Sequence, residues 1–121
     1  MIKWALKEEV KGALEGYCIQ TWELAEDCLS YDDWDILQHI CNFLQAFYDA
    51  TKATEGHKLT IDKVLPTMDF LLEHFETAAT AYAHDEYMAP CIKTGWVKLD
   101  QYYSKTERSP AYTAALVLNP Q

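Results

Sequence analysis

The stretch Ser30-Tyr31-Asp32-Asp33-Trp34-Asp35-Ile36-Leu37-Gln38-His39-Ile40-Cys41-Asn42-Phe43-Leu44-Gln45-Ala46-Phe47-Tyr48-Asp49-Ala50-Thr51 decides the fold. Leu37, Ile40, Cys41, Leu44, Phe47, Tyr48 and Thr51 recur at i, i+3, i+4 and i+7 through two heptads. That period is the mark of an amphipathic α-helix, and it excludes the two-residue alternation of a strand. Trp34 and Phe43 broaden the apolar face. Ser30 and Asp33 stand at capping spacing just ahead of the run. Asp32, Asp33 and Asp35 place carboxylates near the positive end of the helix dipole. Gly56 is a natural C′ residue to end the helix.

The same period extends to both sides. Upstream, Trp4, Ala5, Val10, Ala13, Leu14, Tyr17 and Cys18 predict a helix over residues 2–20. Gly12 and Gly16 weaken it by about 1 kcal/mol each relative to Ala, so fraying or close packing is expected there. Downstream, His57 to Leu59 reads as a short connector, with Thr60 and Asp62 as caps for the next helix. Val64, Leu65, Met68, Leu71, Leu72, Phe75, Ala79 and Tyr82 make its stripe, with Pro66 tolerable in the first turn. Residues 85–104 carry Met88, Ile92, Trp96, Leu99 and Tyr103 at near-helical spacing. Pro90 requires either a start near Ala89 or a separate turn at 85–88 joined at a kink. Ser109-Pro110 reads as an N-cap with Pro at N1, opening a last helix that stops at Asn119-Pro120. Leu116-Val117-Leu118 is too short a run to establish a strand.

The sum is an all-α chain of about five helices in an irregular helical bundle, with residues 1–121 forming one helical domain. Length agrees, since 121 residues suffice for one core without a disulfide or metal staple. Half the residues are hydrophobic and 24% are charged, which is globular rather than disordered composition. No apolar run reaches the ~20 residues of a membrane span. Met1 to Glu9 turns charged too soon for a secretory leader. Cys18, Cys28, Cys41 and Cys91 lie far apart with no C-x-x-C pair, so free thiols are expected.

Catalytic and metal-binding patterns are not evident. His39 and Cys41 point about 200° apart on a helix and cannot chelate one ion. His57, His74 and His84 fall on different elements or faces. Asp69, Glu73 and Glu76 read as a solvated helix face. Neither a G-x-S-x-G elbow nor a phosphate-cradling glycine loop occurs. No catalytic residue, metal or cofactor is therefore expected, and no small-molecule substrate.

Net charge is −9, which disfavours a generic phosphate-neutralising DNA binder. The acid is uneven, however. Residues 1–56 hold 4 basic and 11 acidic residues (4 − 11 = −7), and residues 57–121 hold 6 and 8 (6 − 8 = −2). Lys93, Lys98, Lys105 and Arg108 cluster among Trp96, Tyr102 and Tyr103. Interleaved cations and aromatics are one way to contact nucleic acid, which makes these four the candidate binding residues. The competing reading has Trp96, Leu99 and Tyr103 in the core with the lysines on the wet side.

Gly95-Trp96-Val97-Lys98-Leu99-Asp100-Gln101-Tyr102-Tyr103-Ser104-Lys105-Thr106, followed by Ser109-Pro110-Ala111-Tyr112-Thr113-Ala114-Ala115-Leu116-Val117-Leu118-Asn119-Pro120, resembles hAT-family DNA transposases of fungal type. In that family a "KLDKYY" segment precedes "SPAYxAAxVLNP". Trp34 to Thr51 and Val64-Leu65-Pro66-Thr67-Met68-Asp69-Phe70-Leu71-Leu72 are similar to two upstream stretches of the same proteins. Ala5-Leu6 is weakly similar to the start of the helix after their "RWNST" motif. The resemblance implies a piece of the helical insertion that interrupts an RNase H-like catalytic domain. The family's acidic triad lies outside the matching region, so no catalytic residue carries over. The family's "LDPR" appears here as Leu118-Asn119-Pro120-Gln121, and the sequence stops before the lysine that follows it in the family. The implied function is a non-catalytic transposase fragment, intracellular and nuclear, with weak contact to DNA or to full-length transposase. The alternative is a small helical protein-interaction or self-association module, with Trp4, Trp22 and Tyr112 as the exposed aromatics. A membrane is not expected as a partner.

Overall fold

The computed structural model describes residues 1–55 and 61–119. The chain is all-α, with no strand among the described residues. Its helices are α1 (Ile2–Ala5), α2 (Glu8–Gln20), α3 (Tyr31–Thr54), α4 (Val64–Ala81), α5 (Met88–Glu107) and α6 (Pro110–Leu118). Two 3-10 turns, Trp22–Asp27 and Ile61–Lys63, lead into α3 and α4. The chain divides into two compact units, Met1–Phe43 and Leu44–Gln121.

In the first unit, the single helix expected over residues 2–20 is broken. Lys7 is extended (φ −69°, ψ 133°) and serves as the N-cap of α2. Glu8 and Glu9 then fill the first turn of α2, where their charge favours a helix start. A Cβ added at Gly12 or Gly16 would meet nothing within 4 Å, so the close packing expected there does not occur. The start of α3 follows its sequence closely. The Ser30 N–H and Oγ–H both donate to Asp33 Oδ2, at 2.8 and 2.7 Å, and the Asp33 N–H donates back to Ser30 Oγ at 3.2 Å. This reciprocal cap holds the Asp33 carboxyl below its ordinary pKa, chiefly through the Ser30 hydroxyl. Trp34 is the buried anchor of the unit. The Lys11 ammonium lies 5.4 Å from its ring centre and 5.7 Å from that of Tyr31, which ties α2 to the first turn of α3.

In the second unit, α4 and α5 pack along Phe75, Ala78, Met88 and Ile92, all buried. Phe75 meets Phe47 of α3 edge to face, with ring centres 5.6 Å apart. The buried residues of α3 here are Ala46 and Ala50, whereas Leu44 and Tyr48 of the expected stripe are exposed. The Tyr103 hydroxyl hydrogen-bonds to Asp69, which links α5 to α4 and raises the phenol pKa. Thr106 is buried with its hydroxyl donating to the Tyr103 carbonyl at 2.7 Å.

The two readings of the Pro90 region resolve in favour of a helix beginning at Met88. Asp85 Oδ1 accepts from the N–H groups of Tyr87 and Met88 at 2.9 and 2.7 Å, and Pro90 falls in the first turn. Pro66 likewise sits in the first turn of α4. Pro110 occupies the start of α6, although the Ser109 side chain makes no capping bond. Leu116 to Leu118 are helical. Asp62 does not cap α4. It is buried and accepts from Asn119 Nδ2 at 2.6 Å, which pins the end of α6 to the 3-10 turn. The expectations for Gly56, the connector at 57–59, Thr60 and Pro120 lie outside the described residues.

Candidate functional site

The site is read from α5 outward. With about 100° between successive residues on an α-helix, Met88, Ile92, Gly95, Leu99, Tyr103 and Thr106 fall on one side of α5. Met88, Ile92 and Thr106 are buried, and Gly95, Leu99 and Tyr103 are half-buried. This side faces the core of the second unit. Trp96 lies at its edge and is 38% exposed, so it is only partly core.

An adjoining arc of about 120° carries Thr94, Lys98, Gln101, Tyr102, Lys105 and Arg108. Every one of them is exposed. No Asp or Glu of α5 lies in that arc, since Asp100 and Glu107 project about 180–200° from Lys98. Lys98 and Lys105 both approach the Tyr102 ring. Their ammonium nitrogens are 5.7 and 4.8 Å from the ring centre. One aromatic ring therefore attracts two cations, each worth about 0.5–1 kcal/mol at an exposed position.

Of the four residues singled out in the sequence, the structure brings Lys98 and Lys105 together around Tyr102. Arg108, the C-cap residue of α5, stands about 60–80° round the helix from them. Lys93 does not join the group. It lies about 120–140° from the two lysines and on the side of Asp100 and Glu107. Tyr102 was noted in the sequence only as a neighbour, yet it is the residue that organises the pair. The i, i+4 and i, i+3 spacings of Lys98, Tyr102 and Lys105 are the signal for it.

Away from α5, an open groove of about 680 Å³ is lined by Asp49, Ala50, Asp62, Lys63, Phe70, Leu116 and Asn119, among others. Its buried carboxylate, Asp62, is engaged by Asn119 and so serves the attachment of α6. In the first unit a cavity of about 300 Å³ is lined by Leu14, Cys18, Ile19, Cys28, Leu29 and Trp34, with Glu15 and Asp27 at its edge. Trp22 is 84% exposed and Trp4 58% exposed, as the interaction-module reading expects, but Tyr112 is half-buried. Among the described residues, no three His, Cys, Asp or Glu side chains gather as a metal ion would require. Among the same residues, no helix is long and apolar enough to cross a membrane.

The chain matches no family model, no curated protein and no solved structure.

Proposed function

We propose that the chain is a non-catalytic, hAT-transposase-like helical fragment that makes weak, sequence-independent contact with nucleic-acid phosphates. The observation that carries this reading is the acid-free exposed arc of α5, where Lys98 and Lys105 flank Tyr102 and Arg108 extends the charge. The resemblance of Gly95 to Thr106 and Ser109 to Pro120 to those transposases supports it independently. Two or three cations address two or three phosphates, so binding is weak and salt-sensitive, with a slope of log K against log salt of about −2 to −3. The net charge of −9 opposes any stronger association. Tyr102 offers a face on which an unpaired base stacks, so single strands bind at least as well as duplex.

Fluorescence anisotropy with a labelled oligonucleotide at low salt tests the reading. The intact chain raises the anisotropy, and Lys98→Ala/Lys105→Ala removes most of the rise and reduces the salt slope by about 2. Lys93→Ala leaves both nearly unchanged. Absence of binding to duplex and single strand alike, at high protein concentration and low salt, overturns it.

The exposed Trp4 and Trp22 favour a second reading, self-association through the first unit. Light scattering separates the two. Concentration-dependent dimerisation that Trp22→Ala abolishes and Lys98→Ala/Lys105→Ala does not would replace the first reading with the second.

A further inference from the structure

Cys18 closes the last turn of α2, and Cys28 stands just beyond the 3-10 turn Trp22–Asp27. They stand ten positions apart, and nothing in that spacing announces a pair. The fold nevertheless brings both thiols to the wall of the same 300 Å³ cavity, beside Leu14, Leu29 and Trp34. Cys18 is near enough to contribute to a raised pKa at Cys28, and Cys28 Sγ donates to the Leu24 carbonyl at 3.6 Å. Both residues are half-buried rather than sealed, so a small reagent reaches them. Cys41 and Cys91 line no part of that cavity.

We propose that Cys18 and Cys28 form a reversible intramolecular disulfide, with a small-molecule disulfide such as oxidised glutathione as the oxidant. The Cys18 thiolate attacks one sulfur of glutathione disulfide, forms a mixed disulfide and expels one glutathione thiolate. The Cys28 thiolate then attacks the Cys18 sulfur and expels the second. The two protein thiols lose two electrons and two protons, and one glutathione disulfide becomes two reduced glutathione molecules. Closure asks the two sulfurs, which already share the wall of one cavity, to reach a bond of about 2.0 Å. Desolvation, the neighbouring Cys18 and the Asp27 carboxylate raise the Cys28 pKa, which disfavours Cys28 as the first attacking thiolate and leaves it to resolve the mixed disulfide once its proton is lost to solvent.

The bond would tie the C-terminal turn of α2 to the residues that lead into α3, across the turn that presents Trp22. A closed loop of about ten residues makes opening of the first unit about a hundredfold rarer, by restricting the opened chain.

The test uses the intact chain equilibrated with glutathione redox mixtures, quenched in acid, alkylated and cut before aspartate. Cleavage there places Cys18 in residues 1–26, Cys28 in 27–31, Cys41 in 35–48 and Cys91 in 85–99. The expected product under oxidising mixtures is a 1–26/27–31 pair joined by a disulfide, with Cys41 and Cys91 alkylated. Reduced glutathione reverses it. Amide exchange in α2 slows about a hundredfold in the oxidised chain. In Cys28→Ser the bridge is replaced by stable glutathionylation of Cys18, and Cys28→Ala serves as a second variant should the first misfold. Four alkylated thiols at every redox ratio overturn the proposal. So does a bridge to Cys41 or Cys91, or separate glutathionylation of Cys18 and Cys28 in the unsubstituted chain.

Discussion

Gly95 and Gly12 invite the same substitution with opposite results. Both lie inside helices, where replacing Gly by Ala ordinarily stabilises by about 1 kcal/mol. At Gly12 a Cβ would meet nothing within 4 Å, so the full gain is expected. At Gly95 the new Cβ would stand 2.8 and 2.9 Å from two carbons of the Phe75 ring. Those distances lie inside van der Waals contact, so either the ring or α5 must move. The ring has little room, because Phe75 is 3% exposed and abuts Phe47 edge to face at 5.6 Å. Overpacking of a filled core costs about 1–3 kcal/mol. Set against the helix gain of about 1 kcal/mol, Gly95→Ala is neutral to destabilising by about 2 kcal/mol. Each kcal/mol moves the melting midpoint of a chain this size by roughly 3–5 °C. Circular dichroism gives the midpoint, and amide exchange assigns the change to α2 or to α4 and α5. Phe75→Leu sharpens the comparison. In that background Gly95→Ala becomes stabilising, and the coupling between the sites falls within about 0.5–3 kcal/mol. If Gly95→Ala stabilises the unsubstituted chain as much as Gly12→Ala does, the close packing of Phe75 on the α5 backbone is refuted.

The remaining expectations concern single contacts. Asp33 has its pKa lowered by Ser30, so the cap contributes stability above the unfolded value of about 3.9 and loses it as pH falls through the lower folded value. Ser30→Ala therefore lowers the midpoint of the first unit at pH 7, and a pH series should show the difference shrinking only in strong acid. The Tyr103 phenol has its pKa raised by Asp69, so that bond is intact below about pH 10 and is lost as pH climbs through the raised folded value. Asp69→Asn should move one tyrosine transition of the absorbance titration to lower pH. Asn119→Ala takes a donor from the buried Asp62 carboxylate and should destabilise the attachment of α6 by about 1–3 kcal/mol in urea unfolding.

The helices were legible because their signals are local. Ser30 and Asp33 cap α3 from residues three apart, and Pro66 and Pro90 tolerate helix only in a first turn, where the structure has them. The break at Lys7 is hidden from apolar spacing, which runs through it, and is signalled only by the Lys7-Glu8-Glu9 charge pattern that begins a new helix. The face of α3 in the second unit was misread for a different reason. Periodicity weights large side chains, so it selects Leu44 and Tyr48, whereas the residues buried there are Ala46 and Ala50. Small residues carry little hydrophobic signal of their own even where they are buried. Gly95 beneath Phe75 is the same effect in its extreme form.

The candidate surface divides along the same line. Lys93, Lys98, Lys105 and Arg108 look like one cluster when charge is counted along the chain. Angle around the helix separates Lys93 from the lysines that flank Tyr102, and that angle follows from sequence number once α5 is recognised. The grouping is legible from angle around the helix and not from order along the chain. The meeting of Cys18 and Cys28 was not legible at all. It depends on the 3-10 turn Trp22–Asp27 bringing the chain back toward the end of α2, and a 3-10 turn has no strong period to read. The nucleic-acid reading therefore rests on a regular helix and can be dissected residue by residue. The thiol pair rests on an irregular turn, so a change within that turn, such as Leu24→Pro, should separate the sulfurs while leaving the α5 surface intact. Removal of the Leu24 N–H, which donates to the Thr21 carbonyl at 2.9 Å, is the lever. Disulfide yield under oxidising glutathione and oligonucleotide anisotropy, measured on that one variant, should then part company. Loss of both together would mean that the two units do not behave independently.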